Sequence, residues 1–218
     1  MSLAIFDLDN TLLNGDSDHA WGEFLCTQGI VDPAEYKQAN DHFYQQYKTG
    51  TMDIFEFLEF ALRPLAQHSL QQLQQWHSLF MQQCVQPMML PKALQLLADH
   101  RARGDFLLII TATNHFVTSP IARQLGVDAL LATDPQMVDG RYTGKVAGTP
   151  CFREGKVERL HRWLQEHEHT LEGSYFYSDS QNDLPLLELV DNPVAVDADE
   201  ILTRTATERG WPVISLRD

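Results

Sequence analysis

The chain has 218 residues, 44% hydrophobic and 21% charged, a globular composition with room for one domain and a sizeable insertion or for two small domains. Its 16 basic and 30 acidic residues leave a net charge of −14, a surface that repels the phosphates of nucleic acid and anionic lipid, so neither is expected as a partner. Three scattered cysteines, Cys26, Cys84 and Cys151, signal neither a disulfide framework nor a zinc site and suit a reducing cytoplasm, and no run approaches the roughly 18 apolar residues of a membrane span.

Leu3 to Phe6 is a short unbroken apolar run, the pattern of a strand buried on both faces in a parallel sheet. It is too short, and lacks the basic flank, for a signal peptide. Asn14-Gly15 offers the two residues that most readily take positive φ and predicts a tight hairpin turn, a small flap just after the strand. From Asp16 to Gln86 the periodicity becomes helical. Trp21, Phe24 and Leu25 share one face; Tyr36, Ala39, Phe43 and Tyr47 share the next, after Pro33. Ile54, Phe57, Leu58, Ala61 and Leu62 make a third set ending near Pro64, and Leu70, Leu73, Trp76, Phe80 and Cys84 a fourth, with glutamines on its solvated side.

Pro91 opens a further helix that Arg103-Gly104 closes, and Phe106 to Ile110 reads as a second buried strand. A helix from Thr118 to Leu125 stops at Gly126. Asp139-Gly140 joins Leu131–Val138 to Arg141–Val146 as a hairpin, and Val157 to Glu166 is helical. Short strands at Ser174–Ser178, Val194–Val196 and Val213–Ser215 complete an α/β fold: a doubly wound, mostly parallel Rossmann-like sheet with a helical-bundle cap inserted after the first strand. Residues 1–15 and 87–218 are expected to form the core and 16–86 the cap.

Ligands of such sheets sit beyond the carboxyl ends of the strands. There the first strand offers Asp7-Leu8-Asp9-Asn10-Thr11, the second Thr111-Ala112-Thr113-Asn114, and the strand ending at Ser178 offers Asp179, Asn182 and Asp183, with Lys156 opening the helix between them. Four carboxylates in one crevice repel one another by roughly 4 kcal/mol per pair at about 4 Å and an effective dielectric near 20, so a cation is required. The donors are all hard oxygens, which selects Mg²⁺. An EF-hand calcium loop is a poor alternative, because this segment follows a strand and carries Leu12 where the loop glycine belongs.

Asp7-x-Asp9-x-Thr11, Thr111, Lys156 and Asp179-x-x-Asn182-Asp183, in this order across essentially the whole chain, resemble the four motifs of the haloacid dehalogenase superfamily of phosphohydrolases. The likeness is strongest to its phosphoserine phosphatase-like branch, which includes relatives that hydrolyse histidinol phosphate. The resemblance implies that Asp7 is the nucleophile that takes the phosphoryl group and Asp9 the general acid and base. It implies that Asp7, the Asp9 carbonyl and Asp179 hold Mg²⁺ with support from Asp183, and that Thr111, Lys156, Asn182 and the amides of Leu8 and Ala112 bind phosphate. The branch usually has Ser-Gly-Gly where this chain has Thr111-Ala112-Thr113, which narrows the room around the leaving group.

Simpler readings compete at several positions. Lys145 is the rival of Lys156, but lies in the predicted hairpin. His161, His167 and His169 belong to a solvated helix end, Arg63 is an exposed helix-end residue, and Trp21, Phe24, Phe43 and Tyr47 are expected to pack inside the cap. By a gapless count Asp16 falls where the branch places an acid facing the substrate's ammonium, while its carboxylate-binding arginine falls near Ala61, two places from Arg63, which a small gap would bring there. A Mg²⁺-dependent phosphomonoesterase acting on a small phosphorylated metabolite with an amine but no carboxylate, histidinol phosphate, is therefore expected, its imidazole against a cap aromatic such as Trp21 or Phe43. Phosphoserine hydrolysis, phosphotransfer through the same intermediate and a non-catalytic binding protein are the alternatives; the oligomeric state is not legible.

Overall fold

In the computed structural model, which describes residues 2–217, seven strands form one sheet. These are β1 (Leu3–Phe6), β2 (Phe106–Asn114), β3 (Ala129–Val138), β4 (Arg141–Ala147), β5 (Tyr175–Ser178), β6 (Asn192–Val196) and β7 (Val213–Ile214). Their order is β4-β3-β2-β1-β5-β6-β7, parallel throughout except for the antiparallel β3–β4 hairpin. The expected doubly wound α/β class is therefore what the chain adopts.

The unbroken apolar run of β1 follows from its central place. Ala4 and Phe6 point to one face, joining Leu107 and Ile109; Leu3 and Ile5 point to the other with Leu108 and Ile110. The first face is covered by α1 (Ser17–Thr27), α6 (Pro91–Ala102) and α7 (His115–Leu125), the second by α8 (Glu154–His167), α9 (Leu184–Leu187) and α10 (Glu200–Arg209).

Between β1 and β2 the chain inserts α1, α2 (Pro33–Thr49), α3 (Ile54–Gln67) and α4 (Leu70–Phe80), followed by a π-helical turn at Met81–Val85 and the single turn α5 (Gln86–Met88). The four longer helices each start on a side chain that accepts orphan amides: Asp16, Asp32, Asp53 and Ser69, the last in a reciprocal capping box with Gln72. α3 does not stop near Pro64 but runs three residues further. Pro64 and Leu65 are buried, and Leu65 joins Leu58, Leu62 and Leu73 in a cluster that also meets Tyr142 and Val146 of β4. That burial outweighs the one backbone hydrogen bond a proline removes.

Two further expectations are corrected. Asn14-Gly15 makes no flap: the Leu8 carbonyl accepts from Leu12 and Leu13 in a helical turn, and Leu8, Leu12 and Leu13 are buried in the main core. Gly15 does take a positive φ, 149°, but Asn14 does not, and the left-handed φ of 58° falls on Asn10, whose amide donates to the Gly15 carbonyl. Strand β2 continues past Ile110 to Asn114 through a register irregularity against β3, and Asn114 caps α7, which begins three residues earlier than the periodicity suggests. Asp139 and Gly140 do form the β3–β4 turn, with φ of 48° and 75°. Among the described residues no helix is long and apolar enough to cross a membrane.

Candidate active site

Asp7 follows the last residue of β1, and its amide still pairs with the Tyr177 carbonyl of β5 at 2.9 Å, so the sheet itself fixes where the carboxylate projects. Its Oδ1 accepts a 2.8 Å hydrogen bond from Lys156 Nζ. The same ammonium reaches both oxygens of Asp183, at 2.8 and 2.9 Å, and the Ser178 hydroxyl donates to Asp183 Oδ2 at 2.7 Å. Asp7 and Lys156 are each only 2% exposed. Lys156 is held there by Gly155, where a side chain's Cβ would lie 2.1 Å from the Pro150 carbonyl oxygen, too close for any other residue. Lys145, the rival, is exposed on β4.

Asp9 is held from two sides. Its Oδ1 accepts the Ser17 amide at 2.6 Å, and its Oδ2 accepts the Thr113 hydroxyl at 2.7 Å. Thr113, which in the sequence reads only as the loss of a glycine, is thus a donor to the second carboxylate. Thr11 bridges to the other motif: its hydroxyl donates to Asp179 Oδ1 at 3.2 Å and accepts the Asp179 amide at 3.1 Å. Thr111 is buried, and among the described residues its Oγ1 accepts only the Thr113 amide, leaving the hydroxyl hydrogen for a ligand.

Burial raises the Asp7 carboxyl to about 7; Lys156 pulls it down and Asp183 pushes it up again. Burial, then the neighbouring Asp16, raise Asp9 to about 6, against the hydrogen bonds from Ser17 and Thr113. Asp179 is raised well above the ordinary carboxylate range by burial and by Asp7 and Asp183. For Lys156 burial disfavours the charge, but Asp183 and Asp7 outweigh it and the ammonium keeps its proton firmly. Among the described residues Lys156 is bonded to Asp7 and Asp183, and no cation is bonded to Asp9 or Asp179. Asp7 Oδ2 is buried without a hydrogen-bond partner among the described residues. An orphan carboxylate oxygen beside further hard oxygen donors and an excess of negative charge fits a small divalent cation.

A small cavity opens over these groups. Asp7, Asp9, Thr111 and Ala112 line its floor; Asp16, Asp18 and Asn40 line a side wall; and Phe43, Tyr44, Tyr47 and Phe57 supply aromatic surface. Phe43 and Tyr47 therefore face the cavity rather than filling a core as expected, whereas Trp21 and Phe24 pack on Phe80 with ring centroids 5.2 and 5.7 Å apart. Arg63 is exposed outside this cavity.

Asn182, expected to contact phosphate, makes other hydrogen bonds in this structure. Its Nδ2 donates to the Tyr47 carbonyl and to Ser180 Oγ, both at 3.1 Å, and its Oδ1 accepts from Arg153 Nε at 3.1 Å. With Gln181 Nε2 on the Lys48 carbonyl and the Arg153 guanidinium on the Gly50 carbonyl, it satisfies the orphan carbonyls at the end of α2. Asn182 thus joins the inserted helices to the loop after β5. Arg153, at an unusual φ of 49° and more than a hundred residues from Gly50, left no sequence signal of this contact.

The sequence profile of the haloacid dehalogenase-like hydrolases matches residues 4–188. The chain belongs to this family. A histidinol-phosphatase of Neisseria meningitidis serogroup C is 46% identical over 99% of both chains. A protein of unknown function from Bordetella pertussis Tohama I superposes with a TM-score of 0.93 at 47% identity, covering 99% of this chain and 98% of its own. A phosphoserine phosphatase, solved as an analogue of its phospho-aspartyl intermediate, shares the fold of this haloacid dehalogenase-like chain, with a TM-score of 0.72 at 17% identity over 99% and 93% of the two chains. The expectation of a phosphatase is borne out by the family and the Neisseria relative.

Proposed function

We propose that the protein is a Mg²⁺-dependent phosphomonoesterase that works through an aspartyl phosphate and takes histidinol phosphate as substrate. The observation that carries this reading is the pairing at the floor of the cavity: Asp7, buried and bound to Lys156, lies beside Asp9, which is clamped between the Ser17 amide and the Thr113 hydroxyl. Two carboxylates in different environments suit different roles. Asp7 attacks phosphorus and the bond to the leaving alkoxide breaks, while Asp9 delivers its proton to that oxygen. Asp9 then takes a proton from the water that attacks the phosphorus of the aspartyl phosphate, releasing phosphate and restoring Asp7.

A carboxyl raised to about 6 suits both duties near neutral pH. Lys156 and the Thr111 hydroxyl stabilise the charge that spreads over the phosphoryl oxygens, with the Leu8 and Ala112 amides as further donors. Asp7, the Asp9 carbonyl and Asp179 would hold Mg²⁺, which supplies charge neutralisation at the phosphoryl group, and Asp183 steadies the set through Lys156. Residues 16–86 are assigned as the cap over the core formed by 1–15 and 87–218; within them α1 also covers one face of the sheet, so α2 and α3 are the part that excludes water during transfer. The three cysteines are free, in keeping with a cytoplasmic setting.

The substrate assignment draws on the Neisseria relative and on the cavity wall, which carries Asp16 and Asp18 but no lysine or arginine among the described residues. That wall offers a substrate carboxylate no lysine or arginine among the described residues, and its one histidine, His19, is held by Asp41 at 2.9 Å; an unpaired charge is costly to desolvate. The kcat/KM for histidinol phosphate is expected to exceed that for phosphoserine by at least about a hundredfold, or roughly 2.7 kcal/mol. EDTA should abolish the activity and Mg²⁺ restore it. Preference for phosphoserine would overturn the substrate; phosphate release that ignores EDTA would overturn the metal.

The acid role is tested separately. Asp9→Asn should slow hydrolysis of alkyl phosphate esters by about 10² to 10⁴, and that of p-nitrophenyl phosphate far less, because nitrophenolate departs without a proton. Equal losses on both esters would take Asp9 out of the acid role.

A further inference from the structure

The side wall of the cavity holds two carboxylates with different tasks. Asp16 is the N-cap of α1: its Oδ1 accepts the amides of Asp18 and His19, both at 2.9 Å, so it builds the start of the helix. Asp18, in the first turn, lines the same cavity and makes no side-chain hydrogen bond or ion pair among the described residues. The charges that act on it are Asp16 and Asp9, both negative, and these, after burial, hold its carboxyl well above the ordinary range. Asp18 is only partly buried, and no positively charged side chain among the described residues pairs with it. A carboxylate that lines the cavity with only acidic neighbours is a ready partner for a cation that enters it.

Its neighbours narrow the chemistry of that cation. Asn40 is buried against α1, its Nδ2 donating to the His19 carbonyl at 2.9 Å, while no hydrogen bond reaches its Oδ1 among the described residues. Its position depends on Gly22, where a Cβ would lie 2.6 Å from the Asn40 amide. Tyr44 stacks on His19 at 4.6 Å and Phe43 meets Phe57 edge to face at 5.5 Å, which gives the cavity flat aromatic walls next to the two acceptors.

We infer that Asp18 is the residue that selects the organic end of the substrate. It pairs with the positively charged nitrogen of a phosphomonoester whose body is a flat ring lying against Phe43 and Tyr44, and Asn40 Oδ1 accepts a second N–H from the same molecule. The ammonium contact expected of Asp16 thus falls chiefly to Asp18, with Asp16 serving as the cap that places it. This assignment rests on the phosphatase reading for its phosphate half, but the cation contact is measurable without turnover.

Two measurements test it in the full-length protein with Mg²⁺. The first is the ratio of kcat/KM for histidinol phosphate to that for p-nitrophenyl phosphate, which carries no cation. Asp18→Asn should lower the ratio by about ten- to a hundredfold, as loss of a charge-assisted hydrogen bond does, with the change chiefly in KM for the cationic ester. Asp18→Glu, which keeps the charge, should recover part of the ratio. The second is the rise in melting temperature on adding histidinol, the dephosphorylated amine, which the parent should show and Asp18→Asn should lose. A variant whose ratio and histidinol response both match the parent would overturn the role of Asp18 and leave the phosphatase intact. If neither ester is hydrolysed, the catalytic reading fails, and the histidinol response of parent against variant still decides the contact. A parent that does not respond to histidinol and prefers the neutral ester also overturns it.

Discussion

Replacement of Asp7 by asparagine is expected to lower steady-state phosphate release by more than about 10³-fold, because an amide cannot form the acyl phosphate through which both halves of the reaction pass. The fold should survive. The substituted amide can keep its carbonyl oxygen toward Lys156 Nζ, the group that now donates to Asp7 Oδ1 at 2.8 Å. Stability should even improve at higher pH. The Asp7 carboxyl is raised by burial from 3.8 to about 7, so its contribution to metal-free folding is fully present below 3.8 and is lost as pH rises through about 7. An amide has nothing to lose in that window. In EDTA the melting temperature of Asp7→Asn relative to the parent should therefore rise between pH 5 and pH 8. Release of phosphate within tenfold of the parent would place the nucleophile elsewhere, and a relative melting temperature that falls over this range would contradict the charge balance drawn for the site.

The central strand was legible because both of its faces are covered, so every position of Leu3–Phe6 had to be apolar and no other element reads that way in so few residues. The carboxylates were legible for a related reason: polar residues that interrupt buried strands have few structural uses. Local turn chemistry was a poorer guide. Asn14-Gly15 has the strongest short-range hairpin signal in the first fifteen residues, yet Leu12 and Leu13 beside it are fully buried, and tertiary burial decided the conformation. Pro64 misled in the same way, since the cost of one missing amide is small against the burial of Leu65.

Helical periodicity located the apolar faces of the inserted helices but not what those faces meet. On α2, Tyr36 packs into the main core while Phe43 and Tyr47, on the same stripe, look into the cavity. Nor could residue type reveal that Asn182 donates to the Tyr47 carbonyl at the end of α2, or that Thr113 serves Asp9, because both contacts join segments far apart in the chain. What the motifs conveyed was the identity of the charged groups. Their division of labour came from the hydrogen bonds around each one.

The buried ammonium carries the second large prediction. Lys156 Nζ lies 2.8 Å from Asp7 Oδ1 and 2.8 Å from Asp183 Oδ1, with both side chains out of water. In Lys156→Met the stem volume is kept and the charge removed, which leaves two buried carboxylates facing each other. Breaking a buried pair by removing one partner costs about 3–5 kcal/mol. The loss should depend on pH. Lys156 holds the Asp7 carboxyl down, so in the variant that carboxyl rises further above its unfolded value, and the repulsion grows as pH rises and is relieved as protons return. The destabilisation measured by urea unfolding in EDTA should therefore be larger at pH 8 than at pH 5.5. Asp183→Asn added to Lys156→Met should recover part of the stability, because one of the two unpaired charges is gone. Activity should not return with it. The ammonium is also the fixed cation at the phosphoryl oxygens, and its loss should lower kcat by about 10² to 10³ in both variants. Recovery of turnover together with stability would show that Lys156 serves the fold alone, and equal stability of parent and Lys156→Met at both pH values would show that Asp7 and Asp183 do not depend on it.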